Sequence, residues 1–341
     1  MKNKQSEFIT LLGNYFSVYL PSSTGASPNT ITSYKYAFRL LLLFLAEKYD
    51  LSPDEITFSF LNYTAISDFL KWIEAERGCC INTRNQRLSA LSAFADYAQR
   101  RSFEAASCFR HEVNKVPAKK QQKKVRTIFT LEEIKVLLGI PDARSRIGFR
   151  DKAILSVMYA SGARAQEICN LKVADVKFGE EAATLVLKGK GGKIRQVGIP
   201  AAPASILRNY LASRVLLYQY DSFVFSSQTH PQMTVSCIEE IFKKYVSIAR
   251  RERPDLFLEK SYTPHSMRHS TATHMLEAGV PLIVIRNFLG HASVQTTQIY
   301  AEVSQNTMDT HIKGWNERWF GNTAEENPTT KDKYQIPDFL K

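Results

Sequence analysis

The stretch Thr263-Pro264-His265-Ser266-Met267-Arg268-His269, continued by Leu289-Gly290-His291 and Tyr300, decides how the chain is read. Thr263 offers an N-cap hydroxyl and Pro264 suits the first helical position, so a helix begins here. His265 and Arg268 lie three apart and share one face of it. Gly279 and Pro281 end that helix and open another over Leu282–Leu289, which stops at Gly290 and hands the chain to His291. Ser293 suits the cap of a short third helix with Thr296 and Thr297, bringing Tyr300 near its end. Two imidazoles, a guanidinium and a phenol thus come from one helical hairpin. An arginine grips a phosphate with two hydrogen bonds, and histidines donate or move protons. A tyrosine hydroxyl becomes a covalent nucleophile when its surroundings activate it. The bland alternative is a helical core with incidental His and Tyr.

A second block lies upstream. Residues 153–159 read as a buried helix, and Ser161-Gly162-Ala163-Arg164-Ala165-Gln166-Glu167-Ile168 follows. Gly162 makes a turn and Arg164 starts the next helix. Residues 183–199 read as a β-hairpin: Thr184–Lys188 is strand-like, Gly189-Lys190-Gly191-Gly192 is the turn, and Ile194–Ile199 returns. Gly-Lys-Gly-Gly-Lys is not a Walker A loop, because its glycine spacing is wrong and no Ser or Thr follows Lys193.

These motifs resemble the tyrosine recombinase (phage integrase) family. His-x-x-Arg, Leu-Gly-His and a tyrosine nine residues after His291 fall in the family's order. The Arg164 block is similar to its first arginine motif, Thr-Gly-Leu-Arg-x-x-Glu-Leu, with Ser, Ala and Ile in place of Thr, Leu and Leu. The resemblance implies a DNA strand-exchange enzyme in which Tyr300 attacks a phosphate and leaves a 3′-phosphotyrosine. It implies that Arg164, Arg268 and His291 hold the phosphate, that His265 manages the tyrosine proton, and that Lys190 protonates the leaving oxygen. Lys193 is the runner-up for that last role and otherwise a DNA contact. It further implies double-stranded DNA as partner, a homotetramer on two duplexes (or assembly with a paralogous recombinase), and no cofactor or metal.

The remaining chain fits that frame. The net charge of +12 suits a polyanionic partner, although an ordinary basic protein has the same balance. Five unpatterned cysteines suggest reduced, buried thiols. The longest apolar run is too short to span a bilayer. A soluble, cytoplasmic protein is expected, with no membrane contact.

The expected fold is mainly α. An N-terminal helical DNA-binding domain spans 1–112, a basic linker 113–126, an α+β catalytic domain with a small antiparallel sheet 127–320, and a loose tail 321–341. Helices are expected over residues 6–20, 28–49, 64–76 and about 82–100, with a loop over 21–28. The second of these places Ile31, Tyr34, Phe38, Leu41, Leu42 and Leu45 inward and Lys35 and Arg39 on another side, toward DNA. Thr83, Arg84, Asn85 and Arg87 begin the fourth, where such residues suit phosphates and base edges. Six basic residues and no acidic one fall within 115–126. They include Lys119, Lys120, Lys123 and Lys124, either on DNA phosphates or in a solvated spacer.

Thr130-Leu131-Glu132-Glu133 is a capping box. Helices over 203–218 and 236–250 follow, the latter offering Lys243, Lys244, Arg250 and Arg251 to phosphates. Met308, Ile312, Trp315, Trp319 and Phe320 form an amphipathic stripe on a terminal helix. It folds back on its own domain or, as the family resemblance implies, is exchanged between protomers.

Two other classes compete. His265 and His269 are four apart, as in a metal-dependent nuclease, but no His-Glu-x-x-His or acidic cluster accompanies them. A DNA-binding regulator without catalysis would not need every matched position filled. Within the family, a nicking-closing topoisomerase is the nearest alternative.

Overall fold

The computed structural model describes residues 6–120 and 126–290, without the side chain of Lys190. The chain divides into two compact units, 1–124 and 125–341. Among the described residues no helix is long and apolar enough to cross a membrane.

The first unit is all-helical: α1 (Glu7–Asn14), α2 (Pro28–Tyr49), α3 (Tyr63–Ala75), α4 (Ile81–Arg101) and α5 (Phe103–Lys115). Ser27 caps α2 by accepting from the Thr30 amide, with Pro28 in the first turn. Phe38, Leu41 and Leu45 of the expected face are buried, whereas Ile31, Tyr34 and Leu42 are half-buried. Phe94 of α4 centres the core. Phe8 and Phe38 meet it edge-to-face at 5.6 and 5.1 Å. Burying one such ring contributes roughly 2–3 kcal/mol.

The loop expected from Pro21 begins later. Wide, π-helical turns carry the chain from Tyr15 to Ser23, with Pro21 inside them. Thr24 closes them, its amide on the Tyr19 carbonyl and its hydroxyl on that of Leu20. The cysteines are all free, but only Cys169 is buried; Cys80 and Cys108 are exposed. Cys80 is the N-cap of α4 and its thiol bonds the Thr83 hydroxyl at 3.3 Å.

The second unit runs α6 (Leu131–Gly139), α7 (Arg146–Ser161), α8 (Ala165–Cys169), β1 (Val176–Phe178), β2 (Ala183–Lys188) and β3 (Ile194–Ile199). It continues with α9 (Ala201–Ser213), α10 (Val235–Glu252), α11 (Pro264–Glu277) and α12 (Leu282–Leu289). The sheet is antiparallel in the order β1-β2-β3, and Lys188 pairs with Ile194 across the hairpin. Alternate residues Ala183, Leu185 and Leu187 of β2 are buried. The fold is therefore mainly α with a small antiparallel sheet in the second unit, as expected. Helix α9 is shorter than the expected 203–218, since Arg214 caps it and Val215 takes a left-handed φ of 56°.

Thr130 and Glu133 form the expected capping box. Glu133 goes further: buried, it accepts from the Phe257 amide and the Tyr262 hydroxyl, each at 2.7 Å. One carboxylate thereby fixes the segment that leads into α11.

Candidate active site

Four short stretches of the second unit meet around two buried charged side chains. The first is the turn after α7. Gly162 adopts a left-handed φ of 56°, and a Cβ there would stand 2.7 Å from Leu289 Cδ2. Only glycine lets the turn pass so close to α12. Two residues on, Arg164 is the N-cap of α8. Its amide donates to Glu167 Oε2 at 2.8 Å and its Nη1 to Oε1 at 2.9 Å.

Glu167 is the first buried charge, 3% exposed. Arg195 of β3 holds it from the other side, Nη1 on Oε1 at 2.6 Å and Nη2 on Oε2 at 2.8 Å. Burial alone would push the Glu167 carboxyl up. The Arg195 hydrogen bonds, the Arg164 amide and the two guanidinium charges overcome it and hold the pKa at about 2. The hairpin turn reaches the same carboxylate: a Cβ on Gly189 would lie 3.2 Å from Glu167 Oε1. The Gly189 amide closes the turn on the Lys193 carbonyl at 2.8 Å. The Lys190 side chain itself lies outside the described residues; Lys193 is exposed.

Arg268 is the second buried charge, 3% exposed. Its Nη1 donates to the Gly162 carbonyl and its Nη2 to that of Leu289 at 2.6 Å. It thus joins the Arg164 turn to the C-terminus of α12. There Gly290 takes a left-handed φ of 66°, and a Cβ on it would press on Arg195 Cδ at 2.9 Å. Arg195 Nε meanwhile donates to the Phe288 carbonyl at 3.0 Å.

His265 stands exposed in the first turn of α11, whose N-cap is Thr263 in a capping box with Ser266. Its packed surroundings, then the charges of Arg268 and Arg164, lower its pKa below the usual imidazole value. The shift favours the neutral ring, the form able to take a proton. The His269 ring lies 6.4 Å away, centroid to centroid. Among the described residues no group of three or more His, Cys, Asp or Glu could hold a metal ion. Arg164, Arg195 and Arg268 gathered around the buried Glu167 carboxylate leave this cluster positive and suited to an anion.

The structure thus brings Arg164, His265 and Arg268 to one place, with the hairpin turn of Lys190 beside them. His291 and Tyr300, the linker lysines Lys123 and Lys124, and the 308–320 stripe lie outside the described residues. Sequence reasoning missed Arg195 and gave Glu167 no role of its own. The signal available was an arginine two residues after the Gly-Lys-Gly-Gly-Lys turn.

Several expected DNA contacts are engaged within their own unit. Arg84 and Arg87 are buried. Arg84 donates to the Pro117 carbonyl at 2.8 Å, and Arg87 to that of Ser33 at 3.2 Å. The Asn85 carboxamide bonds the Lys119 backbone in both directions, at 2.9 and 3.0 Å. These side chains fasten chain segments together. Thr83 bonds Cys80 at 3.3 Å, while Lys35, Arg39 and Lys120 are exposed. Lys119 pairs with Glu74 and Lys243 with Glu240, each at 2.7 Å, and Lys244 lies 3.6 Å from Asp151. Arg250 donates to the carbonyls of Phe257 and Glu259.

The phage integrase family matches residues 127–307, and the phage integrase SAM-like domain matches residues 11–116. The Sinorhizobium fredii protein named "Putative integrase/recombinase y4rC" is 34% identical over 303 residues, covering 88% of this chain and 89% of its own. The tyrosine recombinase XerA of Pyrococcus furiosus is 32% identical, covering 85% and 88%. The fold is shared with XerH site-specific recombinase, solved bound to palindromic difH substrate as a post-cleavage complex. There the TM-score is 0.68 at 20% identity, over 93% of this chain and 92% of that one. On these matches, and on the arginine constellation they span, the chain belongs to the phage integrase family and is a tyrosine recombinase, an enzyme class that breaks and rejoins DNA.

Proposed function

We propose that this chain is a site-specific recombinase that cuts and rejoins double-stranded DNA through a 3′-phosphotyrosyl intermediate. The observation that carries the reading is the bond from Arg268 to the Gly162 carbonyl, which sets its guanidinium beside the Arg164 turn. Tyr300 Oη attacks the scissile phosphorus, and the bond to the 5′-oxygen breaks. His265 takes the tyrosine proton and Lys190 gives one to the departing 5′-oxygen. Arg164 and Arg268 stabilise the charge that builds on the non-bridging oxygens, with a hydrogen bond from His291. The phosphodiester energy stays in the phosphotyrosine, so a 5′-hydroxyl of a partner duplex reverses the step without ATP.

The net charge of +12 supports the DNA partner, with Lys35, Arg39, Thr83, Lys119, Lys120 and Lys193 as phosphate contacts. Four protomers act on two duplexes through a Holliday junction. The 308–320 stripe of each docks on a neighbour. An apolar groove of about 850 Å³, walled by Leu131, Tyr159, Ile206, Met275 and Phe288, is suited to receive it. The name of the Sinorhizobium fredii relative favours integration or excision of a mobile element. The enzyme acts in the cytoplasm.

The test is a suicide DNA substrate nicked near the cleavage point, taken from DNA flanking the gene and incubated with chelator. A denaturant-resistant protein–DNA adduct that vanishes in Tyr300→Phe is expected. An adduct that survives this substitution moves the nucleophile elsewhere.

A further inference from the structure

We propose that Arg195 is a positioning residue for the cleavage step, a side chain that ties the Lys190 hairpin to the Arg164 turn and to the C-terminus of α12. The inference rests on the functional reading above and names a residue that reading does not use.

Arg195 is the second residue of β3 and pairs with Leu187 across the hairpin. Its side chain is only 11% exposed. The guanidinium reaches two other elements at once. Nη1 and Nη2 form a two-pronged pair with Glu167 of α8, and Nε donates to the Phe288 carbonyl in the last turn of α12. Glu167 Oε1 accepts from Arg164 Nη1 as well, so the two arginines share one oxygen. Any movement of Arg195 is therefore passed to Arg164. The Gly290 backbone is seated against the Arg195 stem, and the next residue is His291. The Lys190 hairpin and, through Glu167, the Arg164 turn thus depend on one planar fork, which also holds the last turn of α12.

The chemistry calls for arginine specifically. Guanidinium donors leave a fixed plane in different directions, so one group can serve a carboxylate and a carbonyl simultaneously. A lysine ammonium keeps the charge and can pair with Glu167, but it cannot span both partners. Arg195→Lys therefore separates charge from geometry. A misplacement on the order of 1 Å costs about 100-fold in rate.

The experiment compares wild type, Arg195→Lys and Glu167→Gln at saturating suicide substrate, below the unfolding midpoint of the weakest protein. Single-turnover cleavage, DNA affinity and thermal midpoint are read for each. Arg195→Lys is expected to stay folded, to bind DNA within about threefold of wild type, and to cleave about 100-fold more slowly. A protein carrying both Arg195→Lys and Glu167→Gln is expected to cleave no more slowly than the worse single variant, because both break the same link. For Arg195→Ala, added guanidinium at low millimolar concentration should restore part of the rate. A folded Arg195→Lys that cleaves at the wild-type rate overturns the proposal. So does a loss confined to affinity, with the saturated rate unchanged. A wild-type protein that forms no adduct on its own site overturns the functional reading instead, and this inference with it.

Discussion

Arg268 donates a hydrogen bond to the carbonyl of Gly162, a residue 106 positions upstream. The bond exists because Gly162 occupies a left-handed conformation that turns this carbonyl toward α11, with no side chain to hold α12 away. Gly162→Ala should test the arrangement directly. A left-handed alanine and a Cβ driven into Leu289 together cost about 2–4 kcal/mol. We expect a lower urea midpoint and loss of the DNA adduct even where the variant is fully folded. Wild-type adduct yield from Gly162→Ala would show that the turn does not set the position of Arg164.

The Glu167 carboxyl predicts how stability depends on pH. Its folded pKa, about 2, lies below the ordinary 4.5. The stabilisation is therefore complete above about pH 4.5 and is lost as pH falls toward 2. Its size at neutral pH is on the order of 3 kcal/mol. Denaturant midpoints between pH 7 and pH 3 should fall more steeply for wild type than for Glu167→Gln. Parallel slopes would mean that the ion pairs do not hold the carboxyl ionised.

What is legible in the sequence is local. Ser27-Pro28, Thr130 with Glu133, and Thr263-Pro264 each announce a helix start within four residues, and all three start helices there. The Gly290 stop is of the same kind. The rest depends on partners far along the chain. Arg195 meets Glu167 28 positions away and Phe288 93 away, which no spacing rule reveals. Arg84 and Arg87 read as groove contacts because their bonding partners, Pro117 and Ser33, are equally remote. The turns of Tyr15–Ser23 are obscured by Pro21, which punctuates an α-helical reading although the chain continues in wider turns.

His265 predicts the acid side of the rate profile. Its surroundings and the nearby arginines hold its pKa below the ordinary 6.5. If its neutral form takes the Tyr300 proton, the midpoint of the acid limb of cleavage should lie below pH 6.5. An NMR titration of the His265 ring should give the same midpoint as that decline. An acid limb that does not follow the ring's own midpoint, or one unchanged in His265→Gln, would remove it from this role.

The two sets of basic residues in the first unit should separate by salt. Lys35 and Arg39 are exposed and available to phosphates, whereas the Arg84 guanidinium is tied to Pro117 and Asn85. Replacing Lys35 or Arg39 by alanine should reduce the slope of log affinity against log salt by about 1 for each phosphate no longer neutralised. Stability should be unchanged. Arg84→Ala should behave in the opposite way. Leaving the Pro117 carbonyl and the Asn85 carboxamide short of a donor costs about 1–3 kcal/mol. The released segment near 117–119 should then be cut faster by trypsin at Lys119 and Lys120, with the salt slope preserved. A reduced slope in Arg84→Ala with unaltered proteolysis would return Arg84 to the DNA surface.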